Sequence, residues 1–152
     1  MLPDTVSRVA EHTAPYVNER IRRTSEENLA SLAGADDATI ERRLAELDRE
    51  WDIERVLEAN AATVMLTSVI LAGAVDRRWL LLGAAVGGFL LQHALQGWCP
   101  PLIWFRRMGI RTANEIEEER YALKVLRGDF DELGSAGNGG SRISRVIEAV
   151  QR

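Results

Sequence analysis

Residues 61–105 hold two nearly uncharged apolar runs separated only by Asp76-Arg77-Arg78. A helix that is apolar on every side either sits at the centre of a globular protein or faces lipid. The three-residue charged break is short enough to force an antiparallel hairpin. In the first run, 61–75, the strongest polar groups are Thr63, Thr67 and Ser68, whose hydroxyls can bond back to helix carbonyls. Those fifteen residues reach only ~22 Å, against a hydrocarbon core of ~30 Å. Starting the span near Val56 closes the gap, with Glu58 and Asn60 at the interface. The second run, 79–97, covers ~28 Å as a helix. Trp79 at one end, and Trp98, Trp104 and Phe105 at the other, suit the aromatic belts of a bilayer.

A soluble alternative would bury both runs under the remaining chain, leaving little of it for anything else. The mildly negative overall mean hydropathy and the shortness of the first run favour that alternative, but the little chain left to wrap two such helices favours a bilayer. Arginine placement gives the orientation. Arg42, Arg43, Arg49 and Arg55 precede the hairpin and Arg106, Arg107 and Arg111 follow it, against Arg77 and Arg78 in the turn. This bias is expected to put both termini in the cytoplasm. The start, Met1-Leu2-Pro3-Asp4, lacks a basic segment followed by an apolar one, so insertion is expected to be directed by the internal runs.

The flanks are charge-rich. Residues 1–58 carry 8 Arg against 14 Asp and Glu, and 106–152 carry 9 basic against 8 acidic residues. Acids interleave with arginines throughout, which argues against a nucleic-acid footprint. Val17, Ile21, Leu29 and Leu32 predict an amphipathic helix over 16–33, stopped by Gly34. Asp36 or Asp37 can cap a second helix with the stripe Ile40, Leu44, Leu47 and Trp51. Nothing in the sequence separates that helix from the apolar run, so it is expected to continue through Val56 and Leu57. After the hairpin, Thr112-Ala113-Asn114-Glu115 has capping-box spacing and opens a helix to Arg127, ended by Gly128. A linker over 134–140 leads to a last amphipathic segment with Ile143, Val146, Ile147 and Val150 on one face. The predicted fold is all-α: a two-helix transmembrane hairpin over 59–105, flanked by an amphipathic arm at 1–58, a helix within 106–133, and a terminal segment at 134–152.

Ala84, Gly88, Gln92 and Gln96 recur every four residues on the second helix, with Gly83 and Gly87 beside them. On the first helix Asn60, Thr63, Thr67 and Ala74 trace a compatible stripe. Small residues let helix backbones approach, and amides in lipid need partners, so these stripes are expected to face each other or a second copy. A homodimer of hairpins follows from the second choice. Pro100 and Pro101 should stop the second helix near Trp98 or Cys99. Cys99 is the only cysteine, which excludes an internal disulfide and a cysteine-cluster metal site. By spacing it is first a small apolar residue at a turn. The alternative is a reactive thiol exposed at the cytoplasmic rim. His93 is expected to act as an interfacial hydrogen-bonder rather than a ligand or base.

Gly97-Trp98-Cys99-Pro100-Pro101, after paired apolar helices and before Met108-Gly109-Ile110, resembles the YgaP-like inner-membrane domain family, with its G-x-C-P signature after the second helix. The resemblance covers residues 53–110 and matches the signature at Gly97, Cys99 and Pro100. Some members of that family join the hairpin to a rhodanese, so the resemblance implies a sulfurtransferase as a possible partner. This chain has no rhodanese cysteine loop, and sulfurtransferase activity is not transferred to it.

The sequence therefore leads to a non-enzymatic hairpin protein that organises a partner through its cytoplasmic helices, with the bilayer and a second copy as its first partners and no cofactor or metal expected. A thiol or persulfide relay through Cys99 is the first alternative. A conduit for small ions or molecules lined by Gln92, His93 and Gln96 is the second. Motifs for nucleotide, dinucleotide, zinc-protease and hydrolase chemistry are absent, and Glu117-Glu118-Glu119 is expected to be an exposed helix face.

Overall fold

The computed structural model describes Asp4, residues 6–131, Val146, Ile147 and Val150. Every regular element among the described residues is helical. In chain order these are α1 (Arg8–Glu11), α2 (Pro15–Leu32), α3 (Asp37–Leu47), α4 (Ile53–Ala74), a 3-10 turn at Arg77–Trp79, α5 (Leu80–Gln96), α6 (Leu102–Arg107) and α7 (Ala113–Arg127). The chain forms two compact units. One comprises residues up to Arg23 together with Trp51–Ile116, and the other comprises Thr24–Glu50 with the chain from Glu117 onward.

The first unit is built on α4 and α5, which pair antiparallel as expected. The preceding helix does not run into α4. Asp52 adopts an extended conformation and its carboxylate accepts the Arg55 N–H at 2.8 Å, so α4 begins afresh at Ile53. A further free N–H of this helix start, that of Ile53, donates to the Arg111 carbonyl at 2.8 Å. Beginning there gives α4 22 residues, or ~33 Å, enough to cross a hydrocarbon core. Arg77–Gln96 adds a second stretch of 20 residues. Both are long and apolar enough to cross a membrane, and only 17% and 11% of their most apolar windows are buried. A helix at the centre of a globular core would be mostly covered. Here Leu66, Val69, Ile70, Leu81 and Leu91 point outward.

The hairpin seam uses Leu57, Ala61, Val64, Ser68 and Leu71, a repeat of four and three residues. Ser68 is fully buried, and a Cβ at Gly83 would lie 2.4 Å from its Oγ, so glycine sets the interhelical distance there. Gly87 packs more loosely, with Met65 Cε 3.6 Å from the place of a Cβ. Ala84, Gly88 and Gln96 lie exposed off this seam, as do Asn60, Thr63, Thr67 and Ala74 on α4. Thr63 and Thr67 satisfy their hydroxyls on their own helix, bonding the Ala59 and Thr63 carbonyls. The two polar stripes thus do not face each other within one hairpin.

The second unit includes α3 and most of α7. Asp36 caps α3, accepting the Thr39 N–H at 3.2 Å, and Ile40, Leu44 and Leu47 are buried while Trp51, beyond the helix end, is exposed. Glu119 departs from the expected exposed acidic face. Its side chain is buried and meets Arg43 at 2.8 Å, because a carboxylate turned inward needs a cationic partner. Arg120 pairs with Asp48 and Glu117. The linker at 134–140 lies outside the described residues, as does Ile143. Val146, Ile147 and Val150 are exposed, and Lys124 Nζ donates to the Val150 carbonyl at 2.7 Å.

Candidate functional site

The hairpin end opposite the 76–79 turn gathers the polar chemistry of the first unit. The second helix stops earlier than its prolines require. Gly97 takes a left-handed conformation (φ 77°) and returns its N–H to the His93 carbonyl at 2.7 Å, closing α5 at Gln96. Glycine is required twice over here. A Cβ would also stand 2.7 Å from the Arg8 backbone carbon, so α1 packs directly on this turn. Pro100 and Pro101 then lead into α6, a short helix that the sequence reading missed. The reversal carries Cys99 inward beside Val9, Ile53, Leu57 and Leu102, where it is 3% exposed. A thiol at an open rim is therefore not what the fold presents.

Cys99 is not isolated. His93, on the last turn of α5, is likewise buried, at 1% exposed. Its Nε2 meets Glu54 Oε2 at 2.8 Å, from the first turn of α4. An ionised carboxylate can only accept, so this contact assigns the proton to Nε2. Nδ1 is buried and has no hydrogen-bond partner. Arg8 completes the group, giving Nη2 to Glu54 Oε1 at 2.9 Å and Nη1 to the Ala94 carbonyl at 3.2 Å. The carboxylate thus holds both the ring and the guanidinium in place. Beside Cys99 lies a largely apolar cavity of about 100 Å³, lined among others by Leu57, Ala61, Val64, Val86 and Phe89.

A second buried ionic group supports the same end. Arg106 is 1% exposed and makes a two-pronged contact with Glu115 at 2.6 and 2.7 Å. Its remaining donors reach Thr13 Oγ1, Asn18 Oδ1 and the Ile110 carbonyl. Its guanidinium is thereby fully committed to this network. Glu115 also closes the expected capping box: Thr112 N–H donates to Glu115 Oε2 at 2.7 Å, and Glu115 N–H to Thr112 Oγ1 at 3.2 Å. Burial pushes the Glu115 carboxyl up, but Arg106 and the Thr112 hydrogen bonds outweigh it and hold it below its ordinary range.

Of the residues singled out in the sequence, the fold brings Gly97, Cys99 and His93 together. It leaves Trp98 and Gln92 half-buried and Pro100 and Gln96 exposed, the two amides in a long 3.5 Å contact. Glu54 and Arg8 were not anticipated, because their partners lie far away in sequence. Among the described residues, no cluster of three or more His, Cys, Asp or Glu side chains could hold a metal. No protein-family model matches the chain, and no curated protein or solved structure matches it either.

Proposed function

We propose that this chain is a two-span hairpin protein of a bacterial inner membrane, non-enzymatic in its main role, which presents its charged helices to a partner at the cytoplasmic face. The observation that carries this reading is the pairing of α4 and α5, two membrane-length helices whose apolar surfaces are mostly uncovered. Satisfied backbones and outward Leu, Ile and Val side chains suit lipid and would be costly in water. The arginine bias of the flanks supports cytoplasmic termini. Membranes washed with alkaline carbonate should retain the protein until detergent is added. Release by the wash would remove the proposal.

The exposed Ala84, Gly88 and Gln96 stripe supports a homodimer in which α5 meets a second α5. A cysteine placed at Gly88 in a Cys99→Ser background should then crosslink to its counterpart in membranes. The relay and conduit readings have less support. A persulfide donor would have to reach a thiol that is buried, and His93 is held by Glu54 rather than lining an open path. The G-x-C-P resemblance is consistent with an inner-membrane place and adds no reaction.

A further inference from the structure

We infer that α6 and the turn between α1 and α2 form a binding site for the headgroup of an anionic phospholipid, with Arg107 as its charged contact. The inference rests on the two-span reading, since it needs the end of α5 to lie at a lipid surface, and it names the lipid class that this surface supplies. Because α6 begins at Leu102, shortly after α5 ends at Gln96, it stays beside the membrane boundary. Its inward face is fixed: Leu102 and Arg106 are buried, and Glu115 neutralises Arg106. Ile103 and Trp104, with Arg107 and Met108 one turn later, face outward, and Trp104 and Met108 are 69% and 75% exposed. Tryptophan and apolar side chains beside an arginine suit the headgroup layer, whereas in water the same surface is costly.

Between α6 and the α1–α2 turn lies a cavity of about 200 Å³, lined among others by His12, Thr13, Ala14, Val17, Ile103 and Arg107. It is smaller than the ~300–1,000 Å³ that encloses a whole ligand, so it takes one group and leaves the rest of the molecule outside. No Asp or Glu lines it. The Thr13 hydroxyl donates to the Val9 carbonyl and accepts from Arg106, so neither side chain is free to bind. Arg107 differs. Its carbonyl accepts from Arg20 at 2.5 Å, yet its guanidinium has no polar partner among the described residues. His12 donates from Nδ1 to the Arg8 carbonyl at 2.8 Å, which leaves Nε2 uncommitted. The cavity thus offers a net positive charge and free N–H donors beside the apolar Val17 and Ile103. A guanidinium fork matches the oxygens of a phosphodiester, while the acyl chains of the same molecule remain in the bilayer beside the hairpin. A zwitterionic lipid would bring a cation that meets no carboxylate here. An acidic protein segment would match the charge but not the outward Trp104 and Met108 next to it.

The test uses the full chain in neutral detergent micelles with equimolar phosphatidylglycerol and phosphatidylcholine, and native mass spectrometry as readout. The expected result is a preference for phosphatidylglycerol adducts of at least about fivefold, the weight of one arginine at an anionic surface. Arg107→Gln should abolish the preference while its helical circular dichroism stays that of the wild type. Ala14→Phe, which fills the cavity from an exposed position, should lower phosphatidylglycerol binding with every arginine still in place. Arg77→Gln, at the opposite end of the hairpin, should leave the preference unchanged. Inorganic phosphate added as competitor should displace none of the lipid, because it has no chains to hold it at the micelle. Equal binding of the two lipids would leave the groove to an acidic protein segment and overturn the proposal. So would an Arg107→Gln variant that keeps the preference, an Arg77→Gln variant that loses it equally, or displacement by inorganic phosphate. Carbonate resistance is a separate readout, so a membrane-retained protein without lipid preference would count against this site alone.

Discussion

The two ends of the hairpin use polar residues in opposite ways. At the turn, Asp76 accepts the Arg78 N–H at 2.7 Å, and Arg77, Arg78 and Trp79 are all exposed. These interactions are local and wet, so each is expected to contribute little. At the other end, Glu54 meets His93 across 39 positions and Arg106 meets both Asn18 and Glu115, and Arg106 and His93 are almost wholly removed from solvent. Such groups become costly when one partner is lost, because the survivor stays buried without compensation. The same pair of helices therefore ends in a tolerant turn and in an exacting junction.

The contrast is broken most severely by removing Arg106. Arg106→Ala leaves Glu115 facing a buried void and should cost about 3–5 kcal/mol, measured by denaturant unfolding in micelles. A loss under 1 kcal/mol would mean the junction is no more demanding than the turn. Gly97→Ala comes next. Its left-handed backbone and the 2.7 Å approach to Arg8 should cost about 1–3 kcal/mol and loosen α1, seen as faster amide exchange around Val9.

Acid should then act on the junction before the turn. The Glu115 carboxyl is held below its ordinary value in the folded protein, so its contribution is fully present above the unfolded value near 4.5. It is lost as pH falls through the lower folded value. The melting temperature should decline below about pH 4.5, and the decline should be shallower in Glu115→Gln. The smallest effect belongs to the turn, where Arg77→Gln should shift stability by no more than about 0.5 kcal/mol.

Local signals in the sequence carried much of the fold. The hairpin follows from two long apolar runs, while the Asp36 cap, the Thr112 and Glu115 capping box, and the glycine after Arg127 are rules that operate within four residues, and the structure contains each of them. The junction was far less legible. Arg8 meets Glu54 across 46 positions and Arg106 meets Asn18 across 88, separations that no periodicity encodes. The break before α4 was missed because Asp52 caps a helix without any Gly or Pro to announce it. The interior place of Cys99 depends on the left-handed turn at Gly97, whose second reason, the close approach of α1, is visible only in three dimensions. Glu119 was assigned to an exposed face for the same reason, its partner Arg43 lying 76 residues away.

Topology mapping tests the central claim of two crossings most directly. Alkaline phosphatase, which folds only outside the cytoplasm, would be inserted between Asp76 and Arg77 or fused to either end of the chain in a bacterial host. The account predicts an active enzyme at the turn and inactive enzyme at both ends, all in the membrane fraction. Inactive phosphatase at the turn, or active phosphatase at either end, would contradict it.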